Sequence, residues 1–270
     1  TDTNLIEIFC IFDDFCKYFT PELKKHTFQV PGKRHRNRAS RMLDSEIMTI
    51  LVLFHTHRFV ERQAQVALHL LLFLQTCALG KCSGISIIDS TPLASCHIKR
   101  ERQHRTMRGW AAKGKCTMGW FYGFKLHLVI NDKGEIIQWK LTPGNVDDRE
   151  PLKDKRFTER LFGKLFADRG YISQNLFEML FVDNIHLVTK IKKNMKNSLM
   201  SLYDKLLLRK RSVIETVNDE LKNVCQIEHT RHRSFDNFAT NLIAGLIAYN
   251  LLPKKPEMNI EIIDKSRIIA

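Results

Sequence analysis

Gly84-Ile85-Ser86-Ile87-Ile88-Asp89-Ser90-Thr91-Pro92 is an apolar, β-branched run that ends on an acid and then turns. A short apolar run bounded by turn residues predicts a buried strand over 84–89, with Asp89 at its C-terminal end. Lys164-Leu165-Phe166-Ala167-Asp168-Arg169-Gly170-Tyr171 repeats the layout: a brief strand, an acid, a turn. Between them, 118–130 and 135–141 read as strands joined by Asn131-Asp132-Lys133-Gly134, a hairpin signal. A further strand is expected over 185–191, with helices around 149–157 and 173–181. Three strands in a meander followed by strand–helix alternation is the order of a ribonuclease H-like fold. The predicted class is therefore mixed α/β, a mixed sheet flanked by helices.

Outward from this core the texture becomes helical. Leu5, Ile8, Phe9, Phe12 and Phe15 recur at helix spacing. Ile47, Ile50, Leu51 and Phe54 do so again after Asp44 and Ser45, which can cap a helix start. Between these helices, Pro31-Gly32-Lys33-Arg34-His35-Arg36-Asn37-Arg38-Ala39-Ser40-Arg41 is either a phosphate-contacting arm or a solvated linker. Residues 235–252 read as a final amphipathic helix closing the core. The expected organisation is a helical, DNA-binding domain over 1–80, a catalytic domain over 81–252 and a tail over 253–270.

The chain has 270 residues, enough to bury one substantial core beside a smaller domain. Its 43 Lys and Arg against 29 Asp and Glu give a formal charge of +14, a field that concentrates polyanions and points to nucleic acid. Seven cysteines, an odd number without a Cys-x-x-Cys pair, indicate neither a disulfide framework nor a zinc ribbon and suit a reducing cytoplasm. The start Thr-Asp-Thr-Asn has no basic leader, and the apolar run 67–79 is too short and polar to span a bilayer, so neither export nor membrane anchoring is expected.

Glu215 lies in a segment of helical period, Arg209 to Lys222. At about 100° per residue, Arg211, Glu215 and Lys222 project from one face, with Val213, Val217, Leu221 and Val224 opposite. Asp89, Asp168 and Glu215 can meet only through folding, and three carboxylates suit hard divalent cations. Phosphodiesters repel nucleophiles and release a poor alkoxide. Two Mg²⁺ or Mn²⁺ ions about 3.5–4 Å apart meet both difficulties. In this reading Asp89 bridges the ions, and Asp168 and Glu215 hold one each. A solvated helix with i,i+4 charge pairs is the competing account of the Glu215 segment.

The spacing Arg211-x3-Glu215-x6-Lys222, after Ile-Asp-Ser-Thr-Pro and Ala-Asp-Arg-Gly-Tyr, resembles the core of bacterial insertion-sequence DDE transposases, most closely the insertion-sequence 982 group. The stretches 120–128 (Trp-Phe-Tyr-Gly-Phe-Lys-Leu-His-Leu) and 141–148 (Leu-Thr-Pro-Gly-Asn-Val-Asp-Asp) resemble that family too. The resemblance implies a ribonuclease H-like catalytic domain, a metal-binding triad of Asp89, Asp168 and Glu215, and DNA contacts from Arg211 and Lys222. It also implies a homodimer on DNA, acting on element terminal repeats and target DNA. Where the broader signature has a tyrosine three residues before the arginine, this chain has Leu208, and its segment 54–79 is compressed.

Secondary signals follow the same logic. The stretch 97–110 carries Lys99, Arg100, Arg102, Arg105 and Arg108 beside Trp110, with Lys113 and Lys115 beyond, a pattern for tracking a DNA strand. His127, mid-strand, reads as a structural histidine, and Asp147 and Asp148 as caps of the next helix. His229-Thr230-Arg231-His232-Arg233 fits a solvated turn or a DNA contact equally, and His55 with His57 takes no ligand role. The expected activity is cleavage at element ends and transfer of the 3′-hydroxyl into target DNA. A nuclease without joining activity and an inactive DNA-binding remnant are the rival readings.

Overall fold

A computed structural model describes residues 2–26, 42–54, 63–117, 119–190, 200–228, 232 and 234–258. The basic loop 31–41, the pair His55 and His57, and His229, Thr230, Arg231 and Arg233 lie outside the described residues.

The chain divides into two compact units, one of 1–78 with 225–251 and one of 79–224 with 252–270. The first is helical: α1 (Asp2–His26), α2 (Asp44–Phe54), α3 (Gln63–Phe73) and, from the far end of the sequence, α8 (Phe235–Asn250). Ile8, Phe12 and Cys16 form the buried stripe of α1, and Phe12 meets Phe73 edge-on at 4.7 Å between ring centroids. Ser234 caps α8 through the Asn237 N–H, and α8 packs on α2 and α3. It is buried nearly all round, so it serves the helical unit as a core element.

The second unit is built on six strands: β1 (Ile85–Cys96), β2 (Ala112–Cys116), β3 (Gly119–Asn131), β4 (Ile136–Pro143), β5 (Gly163–Ala167) and β6 (Ile185–Thr189). Between β4 and β5 lie a 3-10 turn (Glu150–Lys153) and the single-turn α4 (Lys155–Thr158). Helix α5 (Gln174–Val182) separates β5 from β6, and α6 (Leu202–Lys210) and α7 (Val213–Asn223) follow. Across the sheet β4 pairs β3, β3 pairs β1, β1 pairs β5 and β5 pairs β6. The first three strands are antiparallel, whereas β5 and β6 run parallel to β1. That is the ribonuclease H-like order expected from the sequence, with the meander hairpin turning at Gly134, whose φ of 75° suits glycine. Ile88, Val129, Leu165, Leu176 and Leu180 share a core that covers one face through α5 and the segment before β5. On the other face α6 contacts β5 and β6, and α7 contacts β1.

Several local expectations are corrected. β1 does not stop at Asp89 but runs on to Cys96, because β3 pairs it as far as the Cys96–Tyr122 register. Pro92 is tolerated there because β5 pairs only Ile85 to Ile87, leaving the other edge free of a ladder the proline would break. β2 was not foreseen: Ala-Lys-Gly-Lys-Cys is short and polar, and it becomes a strand by pairing with Gly119 to Gly123. The segment 149–157 is two short turns joined at Asp154, which caps the second through the Arg156 N–H. Asp148 caps nothing; it pairs with Lys125 at 2.9 Å.

Candidate active site

β1 and β5 lie side by side until Ile87 and Phe166 and then part. Asp89 and Asp168 each stand two residues beyond that last pair, so the parallel register sets both acids level, just past the C-terminal end of β5 and midway along β1. Asp168 opens a short 3-10 turn (Arg169–Tyr171), yet its carboxylate makes no cap hydrogen bond. Glu215 comes from the first turn of α7, where the positive end of the helix dipole favours an acid.

One guanidinium joins the arrangement. Arg211 Nη2 lies 3.7 Å from Asp168 Oδ1 and 3.6 Å from Glu215 Oε1, with the arginine mostly buried and both acids more than half exposed. Arg211 itself stands in the break between α6 and α7, not inside one long helix. Asn218 Nδ2 donates to Asp89 Oδ2 at 3.3 Å, and Lys222 Nζ donates to the Pro92 carbonyl at 2.9 Å. The buried stripe of α7 is Ile214, Val217, Asn218 and Leu221; Val213 is only partly covered and Val224 is exposed. The expected apolar face is thus rotated, because α7 begins afresh after Arg211.

Burial pushes the Asp89 carboxyl up to about 6, while Arg211 and a backbone N–H pull it down and the charges of Glu215 and Asp168 push it further up. A carboxylate held short of its counter-charge, beside two more oxygen-bearing acids, is a donor set suited to hard divalent cations. Among the described residues no three acid, histidine or cysteine side chains converge into a finished cation cage, since Asp168 and Glu215 face Arg211. Tyr171 is buried beneath the site; burial, and then the charge of Asp89, hold its hydroxyl protonated.

The cationic segment after β1 is folded. His97 caps a 3-10 turn (Ile98–Arg100), Met107 is buried, and the His104 ring lies 6.1 Å from that of Tyr122. Lys99, Arg100, Arg102, Arg105 and Arg108 are all exposed around that anchor. Trp120 adds a feature the sequence reading passed over. It is exposed and opposite Lys115 in the β2–β3 register, with Lys113 Nζ 4.7 Å and Lys115 Nζ 5.6 Å from its ring centroid. Even-numbered positions of β3 share a face, and Leu128 is the register partner of Asp89, so Trp120 lies on the sheet face that carries Asp89. The two are roughly 25 Å apart along the strand at about 3.3 Å per residue.

Other side chains take structural parts. His127 is fully buried, bonded through Nε2 to Thr142 Oγ1 at 2.8 Å, and burial pushes its imidazole down to about 4. All seven cysteines are free thiols. No helix among the described residues is long and apolar enough to cross a membrane.

A family described as "Transposase DDE domain" matches residues 79–235, more than half of the chain. Solved structures similar to it include a piggyBac transposase synaptic complex with hairpin DNA, at 12% identity and TM-score 0.44, covering 73% of this chain and 52% of that one. The Mos1 transposase paired-end complex with left transposon end matches at 14% identity and TM-score 0.23, covering 64% and 66% respectively. The catalytic domain of Mos1 mariner transposase matches at 12% and 0.22, over 72% and 91%. This chain therefore spans about half the length of the piggyBac transposase and just under two thirds of the Mos1 chain in the paired-end complex. No curated protein matches it.

Proposed function

This chain belongs to the transposase DDE domain family, and on that premise we propose that it is an insertion-sequence transposase of the 982 group, using Asp89, Asp168 and Glu215 as its catalytic triad. The observation that carries the reading is the pairing of Asp168 and Glu215 with one guanidinium, Arg211, whose charge also acts on Asp89. Acids 47 residues apart in the chain (168 and 215) have no local reason to share a cation in a protein of charge +14.

When bound, two Mg²⁺ or Mn²⁺ ions supply an activated water or hydroxyl and a counter-charge for the leaving oxygen. Asp89 would hold both ions, with Asp168 on one and Glu215 on the other. Arg211 and Lys222 would contact the DNA near the scissile phosphate. Lys99, Arg100, Arg102, Arg105 and Arg108 would neutralise phosphates along the same DNA, with Lys113, Lys115 and Trp120 further along that face. The helical unit would recognise the element's terminal repeats, with two protomers pairing two ends in the cytoplasm.

The first reaction adds water across a phosphodiester, leaving a 3′-hydroxyl on the element and a 5′-phosphate on the flank. In the second, that 3′-hydroxyl attacks a target phosphate in line, forming one phosphodiester and releasing a target 3′-hydroxyl.

The test incubates purified chain with candidate element ends, Mg²⁺ or Mn²⁺ and supercoiled plasmid, beside an Asp168→Ala control. Covalently joined product from the parent alone supports the proposal. Cleavage without joining would make the chain a nuclease. DNA binding that is indifferent to Mg²⁺ and yields no cut would make it a remnant.

A further inference from the structure

Three of the four residues on the buried stripe of α7 are apolar: Ile214, Val217 and Leu221. The fourth is an amide, Asn218, only 8% exposed. Burying an amide costs free energy unless hydrogen bonds replace its water. That replacement is half complete: Nδ2 donates to Asp89 Oδ2 at 3.3 Å, while the buried Oδ1 has no hydrogen-bond partner. Charge sets the amide's orientation, since the reverse would press Oδ1 against an ionised carboxylate. A leucine would finish the apolar stripe without that cost, so packing does not account for the asparagine. Its place does: Asn218 is one turn beyond Glu215 and reaches the acid of β1.

We propose that Asn218 is a positioning residue for the cation site, holding Asp89 through Nδ2 and offering Oδ1 as a fourth protein oxygen to the divalent ion or its bound water. The proposal rests on the reading of Asp89, Asp168 and Glu215 as a metal site. An outer partner that orients a ligand carboxylate commonly governs metal affinity by about 10- to 100-fold. Oδ1 is a hard neutral donor of the kind such ions accept.

The test titrates Mn²⁺ into the full, chelator-treated chain without DNA and follows the heat. Asn218→Leu, close in volume and apolar, and Asn218→Ala, which leaves room for water, are compared with the parent and with Asp219→Asn on the adjoining exposed position. Both Asn218 variants should bind Mn²⁺ at least about 10-fold more weakly, with Asp219→Asn unchanged. Their thermal midpoints in chelator should stay close to the parent's, separating lost positioning from lost folding. Affinities within about twofold of the parent in whichever Asn218 variant folds would overturn the proposal, as would an equal loss in Asp219→Asn. If the parent bound no Mn²⁺, or Asp89→Asn bound it as tightly as the parent, the metal reading itself would fall. Normal parent binding with unaffected Asn218 variants would remove this inference alone.

Discussion

Asp89 and His127 occupy neighbouring register pairs, Asp89 with Leu128 and His127 with Ser90, and burial moves their protons in opposite senses. Asp89 is raised from 3.8 to about 6, so between those values the fold holds a proton that the unfolded chain has released. Stability from this group therefore falls as pH rises through that window. His127 is lowered from 6.5 to about 4, so the unfolded chain holds the extra proton and stability rises over much of the same span. Each effect is at most about 3 kcal/mol, and the two largely cancel. Asp89→Asn should remove only the first. In chelator at pH 7.5 its thermal midpoint should exceed the parent's by about 4 °C or more and converge with it near pH 4. A midpoint below the parent's at pH 7.5 would contradict the assigned shift. Arg211 offers a second check at this scale. Its two ion-pair partners are more than half exposed, so those pairs should account for no more than about 1 kcal/mol of the stability change in Arg211→Ala. Without a competing guanidinium, Mn²⁺ should bind the DNA-free variant more tightly, as calorimetry would show, while DNA cleavage declines.

At the scale of elements, β3 decides the sheet, because it pairs β1 on one edge and both β2 and β4 on the other. Gly123 sits where β1 shifts register between Ala94 and Cys96, and a Cβ there would collide with the Leu93 carbonyl and come within 2.8 Å of the Ser95 nitrogen. Both obstacles are backbone and cannot turn aside. Gly123→Ala should cost about 3 kcal/mol or more in urea unfolding, whereas Gly170→Ala, with open space around it, should be nearly neutral. The elements also show where local pattern stops informing. The meander was legible because alternation and the Asn131–Gly134 turn are short-range signals. β2 was not, since its only strand credential is a partner beyond the turn. The break between α6 and α7 carried a fainter mark, with no glycine or proline: Ser212 stands three residues before Glu215, the spacing of a capping box, and is the N-cap position of α7.

For the whole molecule, the formal +14 means that the DNA binding proposed above would be governed by counter-ion release. Replacing Arg100, Arg102 and Arg105 together by alanine should weaken binding and shallow the plot of log affinity against log salt by about 2–3, near 0.9 for each lost phosphate contact. An unchanged slope would remove this segment from the DNA interface. The helical unit is closed by a distant part of the chain, since α8 packs on α2 and α3 and Asn250 Nδ2 donates to the Ala78 carbonyl at 2.9 Å. A chain ending at Val224 should therefore lose the helical signal of residues 1–78 as well as that of α8, measured by circular dichroism.

Strand order, helix-bearing segments and the three acids with their flanking cations were readable in sequence, because periodicity, turn chemistry and charge act over a few residues. The sequence also carried Asn218 in plain view, a polar residue three places after Glu215 on a stripe otherwise apolar, without disclosing its use. What required three dimensions was every relation across the chain: the equal register of Asp89 and Asp168 past the β1–β5 pairing, Arg211 reaching Asp168 and Glu215, Asn218 meeting Asp89, and α8 crossing into the N-terminal helices. Local propensity chooses a conformation for each segment. Only the burial of apolar faces against one another chooses which segments become neighbours, and that choice brings side chains with no local reason to meet into one site.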